Sequence, residues 1–314
     1  MYIGIDLGGT NIAAAIVDDS GVIKKRESIP VDAASAMTIV GGLMKVCELL
    51  LDGEIVSPRS IGIGVPGSVH DVAGTVVFTP NLPLVNVNIA SELREKYECL
   101  VRLGNDANCA ALGETFAGGA RGAKDVVFIT LGTGVGGGVI LDGRLHTGLS
   151  GAASELGHQV IVAGGRKCGC GRQGCWESYA SATGLIKTAV EIMESNKDCR
   201  MWELCGGETE KLDGRMVFDA FRAGDNAAKL TVKRYTEHLS AGLINLINIL
   251  EPEMICIGGG ISNAWDCLEE LVRALVDAEK YYRFAADAPQ TRIVRAELGN
   301  DAGIIGAALL GARG

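Results

Sequence analysis

One strand, turn and strand pattern occurs twice in this chain, and that repetition constrains its fold more than any single residue does. MYIGIDLGGTNIAAAIVDDSGVI alternates apolar residues around a Gly8-Gly9-Thr10 turn and ends its second strand at Asp18-Asp19, the pattern of a β-hairpin. VVFITLGTGVGGGVILDGRL lies on it at a constant offset of 124 residues, matching Leu7 to Leu131, Gly8 to Gly132, Ile16 to Ile140 and Asp18 to Asp142. An internal duplication is the reading. Either turn alone is a plain hairpin turn. Repeated, with glycines that expose successive backbone N–H groups, the two read as anion-binding nests that would grip a polyphosphate from both sides.

A second signal lies in GAASELGHQVIVAGGRKCGCGRQGCWE, Gly151 to Glu177. His158, Cys168, Cys170 and Cys175 offer one imidazole and three thiolates within 18 residues, the complement of a closed tetrahedral zinc shell. Four protein ligands leave no position for water, so the expected ion is structural and clips a Gly-rich loop in place. The alternative is ordinary buried thiols, which four clustered soft ligands disfavour. Glu155 and Glu177 bracket the cluster and can be held by it as fixed acceptors for ligand hydroxyl groups.

The 314 residues allow one large or two medium domains, and 47% hydrophobic with 21% charged residues is an ordinary globular balance. The net charge of -9 argues against a nucleic-acid partner, which would need clustered Lys and Arg. Met1 is followed by an apolar strand pattern rather than a basic, cleavable segment, and no apolar run approaches membrane-spanning length. The expectation is a cytoplasmic protein without a membrane partner. Cys47, Cys99, Cys109, Cys199, Cys205, Cys256 and Cys267 are scattered singly and read as reduced core thiols.

Between the two copies the pattern predicts a helix (38–51), a strand (60–65), a turn-rich segment (66–88), a helix (89–97) and a strand (99–103), an α/β alternation. Asn105 or Asp106 can then cap a helix, and Gly118 to Gly122 reads as a hinge. Further on, helical spacing covers 176–195 and 226–250, a buried strand 254–257 ends at Gly258-Gly259-Gly260, and helix (267–279), strand (292–296) and helix (302–310) follow. Residues 197–213 read as a polar surface excursion.

Taken together, DLGGTN (Asp6 to Asn11), TPNLP (Thr79 to Pro83), NDAN (Asn105 to Asn108), LGTGVGGG (Leu131 to Gly138), ELGH (Glu155 to His158), CGCGRQGCWE (Cys168 to Glu177) and IGGGI (Ile257 to Ile261) resemble the ROK family of sugar kinases and related repressors. That family belongs to the actin-like, sugar-kinase and Hsp70 superfamily. The resemblance implies an α/β, two-domain, actin-like ATPase (ribonuclease H-like) fold with a central cleft. It implies domains at 1–117, completed by 302–314, and at 118–301. The implied activity is ATP-dependent phosphorylation of a hexose at its 6-hydroxyl, glucose first, with Mg2+, a structural Zn2+ and a homodimer or dimer of dimers. Asp106 is implied as catalytic base, and Asn81, Asn105, Asp106, Glu155, His158 and Glu177 as the sugar's hydrogen-bonding shell. His158 would serve twice, one ring nitrogen on zinc and the other toward the sugar. Gly8, Gly9, Thr10, Asn11, Gly132, Thr133, Gly134 and Gly136 would meet the ATP phosphates, Gly258, Gly259 and Gly260 the nucleoside, and Asp6 the Mg2+, directly or through water.

Two departures lie beside the implied sugar site. Ser154 stands where many family members have glycine before Glu155, and Leu84-Val85 follow TPNLP where glucokinases of the group often continue Gly-Trp. They bring N-acetylmannosamine, allose and fructose forward as other acceptors. The repressors of the family add an N-terminal helix-turn-helix for DNA. With Asp6 five residues from the start, the sequence at hand leads to the expectation that this chain does not use one.

Overall fold

The computed structural model describes residues 1–54, 57–284 and 288–312. The first hairpin is β1 (Tyr2–Leu7) and β2 (Asn11–Val17), followed by β3 (Ile23–Pro30), α1 (Ala36–Leu51) and β4 (Ser60–Val65). Helix α1 forms because Ile39, Val40, Leu43, Val46, Cys47 and Leu50 recur at helical spacing and all bury on the sheet. Ser35 and Thr38 close a capping box at its start. Each such side chain contributes roughly 1.5–3 kcal/mol by leaving water.

Residues 66–88, expected as turns, instead carry β5 (Ser68–His70), β6 (Thr75–Phe78) and β7 (Val85–Asn88), an antiparallel sheet in the order β5-β6-β7. Strands of three and four residues are too short to show alternation, yet Val69, Val76 and Leu84 bury and hold them together. Helix α2 (Ser91–Tyr97), strand β8 (Leu100–Asn105) and helix α3 (Asp106–Ala117) follow. The main sheet runs β3-β2-β1-β4-β8, with β4 parallel to both β1 and β8.

The second copy is β9 (Val126–Leu131) and β10 (Val135–Leu141), whose bounds are those of β1 and β2 moved by 124 residues. After β11 (Arg144–Leu145) and the Cys-rich stretch, the expected 176–195 helix is broken into α4 (Glu177–Ala180) and α5 (Ala182–Glu194). The break is at Ser181, extended, whose side chain caps α5 by accepting from Gly184 N. The expected surface excursion at 197–213 contains α6 (Arg200–Leu204), anchored by buried Met201, Cys205 and Leu212. Then come α7 (Gly214–Arg222), α8 (Asn226–Leu250), β12 (Met254–Gly258), α9 (Trp265–Glu279), β13 (Arg292–Arg295) and α10 (Asp301–Ala312). The second sheet runs β11-β10-β9-β12-β13, the same order of hairpin and added strands as the first.

Packing divides the chain into two compact units, Met1–Phe128 with Gly137–Ser154 and Ala296–Gly314, and Ile129–Gly136 with Glu155–Arg295. In the first, α10 lies against bare backbone. A Cβ at Gly62 would fall 1.7 Å from Ala307 O, and one at Gly306 would fall 1.6 Å from Cys109 O, so glycine is required where α10 crosses β4 and α3. Glu114 of α3, fully buried, fastens the same corner. Its carboxylate accepts from Gly119 N (2.9 Å), Glu297 N (3.0 Å) and Leu298 N (2.8 Å). Among the described residues no helix is long and apolar enough to cross a membrane.

Candidate active site

In the first unit the polar residues collect at the C-terminal ends of parallel strands, where open α/β sheets bind ligands. Asp6 is next to last in β1 and pairs in register with Gly64 of β4, which in turn pairs with Gly104 of β8. Asn105 ends β8 and caps α3: its Oδ1 accepts from Asn108 N at 3.1 Å and its Nδ2 donates to Gly67 O at 3.3 Å. Asp106, the first residue of α3, is therefore free of the capping role, and its Oδ1 accepts from the adjacent Ala107 N at 2.8 Å.

Burial raises the Asp106 pKa above the ordinary carboxylate value and outweighs the hydrogen bonds from Ala107 N, its own N–H and Asn105. The helix N-terminus thus does not hold it low. Burial, and next the Asp106 charge, raise Asp6 to about 6. Two buried carboxylates with raised pKa values, one of them raised in part by the charge of the other, suit a shared proton or a cation.

Asn81 sits exposed on the Thr79–Pro83 loop, which Thr79 staples from below by donating its hydroxyl to Leu82 O at 2.7 Å. Leu84, one of the departures from the family pattern, is fully buried and completes that anchor. The turn after β1 is closed by Gly8 N to Asn11 O at 2.9 Å and leaves Gly9, Thr10 and Asn11 exposed.

In the second unit, His158, Cys168, Cys170 and Cys175 place one ligand atom each within 4.8 Å of one another. Cys168 Sγ to His158 Nδ1 and Cys170 Sγ to Cys175 Sγ are both 3.7 Å, close to the roughly 3.8 Å edge of a tetrahedron with zinc–sulfur bonds of about 2.3 Å. Burial, with Cys170 and Cys168 beside it, pushes the Cys175 thiol up to about 12. The cysteines would become thiolates there only beside a cation, and the donor set fits zinc.

His158 Nε2 points the other way, 3.9 Å from Glu155 Oε2. Glu177 opens α4 beside the cluster, its Oε1 3.7 Å from Cys168 Sγ and its Oε2 accepting from Val135 N at 3.0 Å. The turn Gly132–Gly136 is thereby tied to the Cys-rich stretch. Gly258, Gly259 and Gly260 leave the end of β12, with Gly259 at φ 83° and packed on Leu131 backbone.

Sequence reasoning passed over Arg166. Its N–H donates to Tyr179 Oη at 2.7 Å, and its guanidinium reaches Ser178 O, Gly184 O, Thr188 Oγ1 and Glu191, stacking over the Tyr179 ring. It clamps the loop to α4 and α5. The signal available was its place beside Lys167 in an otherwise small-residue loop; its partners lie up to 25 residues away.

Two sheets of one strand order, each carrying a glycine turn in its antiparallel pair, define the class: a two-domain α/β protein of the actin-like ATPase fold. The ROK family model matches residues 2–313, and the chain belongs to the ROK family. A glucokinase of Thermotoga maritima is 37% identical over 98% of this chain and 95% of its own length. A glucokinase of Halalkalibacterium halodurans is 36% identical over 97% of this chain and 93% of its own. A crystal structure of a ROK family glucokinase from Streptomyces griseus, in complex with glucose and AMPPNP, superposes with a TM-score of 0.80 at 32% identity, covering 100% of this chain and 99% of that one.

Proposed function

We propose that the chain is a sugar kinase, an ATP:hexose 6-phosphotransferase acting first on glucose and supplying glucose 6-phosphate to glycolysis. The observation that carries the reading is Asp106, a carboxylate at a strand end, relieved of capping by Asn105 and held above its ordinary pKa by burial. A sugar hydroxyl is too weak an acid to ionise beforehand. Asp106 orients it and takes its proton as the new O–P bond forms, while the bond from the γ-phosphorus to the bridging oxygen of ADP breaks and ADP leaves. A carboxylate of raised pKa is the stronger acceptor once ionised.

Asn81, Asn105, Asp106, Glu155, His158 and Glu177 are the hydroxyl-binding residues of this reading. The turns Gly8–Asn11 and Gly132–Gly136 offer backbone N–H groups to phosphate oxygens, and Gly258–Gly260 offer a backbone free of side chains to the nucleoside. Magnesium, with Asp6 as ligand directly or through water, would neutralise phosphate charge. Zinc on His158, Cys168, Cys170 and Cys175 would be structural, holding the loop that carries Glu155 and Glu177. Two chains would work as a homodimer, or a dimer of dimers, in the cytoplasm.

A second reading, a kinase for N-acetylmannosamine, allose or fructose, draws on Ser154 and Leu84-Val85, which depart from the family pattern beside the proposed sugar residues. ADP release coupled to an indicator, measured over glucose, these three sugars and a sugar-free control, separates them. Glucose is expected to give the highest kcat/KM. A higher value for an N-acylhexosamine would favour the second reading, and release no faster than the control with every sugar would point to a sensor rather than a kinase.

A further inference from the structure

The turn Gly132–Gly136 is held at three points by the residues just beyond the Cys-rich stretch. Glu177 Oε2 accepts from Val135 N at 3.0 Å, Ala182 N donates to Gly132 O at 2.8 Å, and Thr183 Oγ1 donates to Thr133 O at 3.0 Å. Gly134 makes the first of these possible, because a Cβ there would lie 2.4 Å from Glu177 Oε2. The hairpin itself does not call for that glycine: the first copy carries an exposed Thr10 at the equivalent place, and Gly134 is not in the left-handed region. What excludes a side chain at 134 is the Glu177 carboxylate.

That carboxylate has two oxygens with different tasks. Oε2 is committed to the turn, and Oε1 faces the Cys168 side of the same loop. A hydroxyl bound at Oε1 would fix the side chain and with it the amide of Val135. A nucleotide binding afterwards meets a turn already ordered, loses less conformational entropy, and so binds more tightly.

The geometry points to Glu177 and Thr183 as positioning residues that couple hexose binding to nucleotide binding through the Gly132–Gly136 turn. This rests on the kinase reading and on Glu177 as a sugar acceptor.

The test is calorimetric: the Kd of AMPPNP with magnesium, with and without saturating glucose, for the full-length parent and for Glu177→Ala, Glu177→Gln, Gly134→Ala and Thr183→Val. In the parent, glucose tightens AMPPNP. Glu177→Ala weakens AMPPNP by about tenfold or more, the size of a lost hydrogen bond to a charged acceptor, and brings the ratio of the two Kd values close to one. Glu177→Gln, whose amide oxygen still accepts from Val135 N, keeps AMPPNP within about threefold of the parent. Gly134→Ala, whose Cβ displaces the Glu177 carboxylate, follows Glu177→Ala for the nucleotide. Thr183→Val weakens AMPPNP by about threefold and lowers the ratio without touching glucose binding alone.

If Glu177→Ala loses glucose affinity while its AMPPNP Kd and the ratio match the parent, Glu177 is a sugar acceptor only and the coupling is refuted. Should Glu177→Ala lose the parent's melting transition, Thr183→Val decides, and an unchanged ratio there refutes it. A parent that binds AMPPNP but no hexose contradicts the kinase reading and the coupling, whereas Glu177→Ala against Glu177→Gln still reads the hold on the turn.

Discussion

Ser154 holds φ at 70°, a left-handed conformation in which a Cβ is strained by about 1–2 kcal/mol and glycine is not. Its hydroxyl reaches only His146 O, at 3.4 Å. The glycine common in the family at this place is therefore explained by backbone geometry, and Ser154→Gly should raise stability by about 1 kcal/mol after the added freedom of the unfolded chain is counted. Urea unfolding midpoints check it, and a less stable variant would mean that the serine hydroxyl matters more than the strain. At Asp6 the charge itself is the liability. Burial and Asp106 raise its pKa to about 6, whereas the unfolded chain's aspartate titrates near 3.9, so the folded state binds this proton more tightly. Below about pH 4 both states carry the proton and nothing is lost; as pH rises through about 6 the folded state alone bears the cost of a buried charge, on the order of 2–3 kcal/mol. Without added magnesium, Asp6→Asn should melt above the parent at pH 7, with the gap closing toward pH 4. A gap independent of pH would show that the carboxylate is not strained by its surroundings.

At the scale of elements, α3 and α10 meet at a corner where Glu114 satisfies three backbone N–H groups that no other element reaches. Glu114→Ala strands them and should cost about 3 kcal/mol in urea unfolding, with Glu114→Gln costing less because one amide oxygen still accepts. A loss under about 1 kcal/mol would mean that water takes the place of the carboxylate. The proposed zinc site makes a comparable prediction for the Cys-rich loop: metal analysis of the parent should show near one equivalent of zinc, and Cys170→Ser should lose it and with it sugar affinity. Sugar binding undiminished in a zinc-free protein would contradict the structural role. These elements differ in how legible they were. The hairpins, α8 and β4 stand where their period placed them, because long apolar runs declare their own geometry. The strands β5 to β7 are too short to declare a period, and the break at Ser181 is a hydrogen-bonding choice that apolar spacing does not record. Glu114 and Arg166 were illegible for another reason: their partners are reached across up to 184 and 25 residues, and a charged residue within a pattern of small ones reads as surface.

For the whole molecule, the repeat legible at an offset of 124 residues became two sheets of one strand order, but the two copies are not equivalent. Asp6 falls on Thr130 in the second copy, so only the first brings a carboxylate to the strand end beside Asp106, and only the second has its turn fastened by Glu177. Duplicated backbone thus has different surroundings in its two copies: neighbouring carboxylates at the strand end in the first unit, and a turn anchored by Glu177 in the second. The assignment of phosphoryl transfer to this arrangement stands or falls on Asp106. Because Asn105 supplies the cap, Asp106→Asn removes the proton acceptor without removing the helix start, and the amide still hydrogen-bonds a hydroxyl. Measured side by side for parent and variant, glucose Kd should stay within about threefold while kcat for ADP release falls roughly a hundredfold to ten-thousandfold. A variant that binds glucose and turns over within a few-fold of the parent would contradict Asp106 as the base.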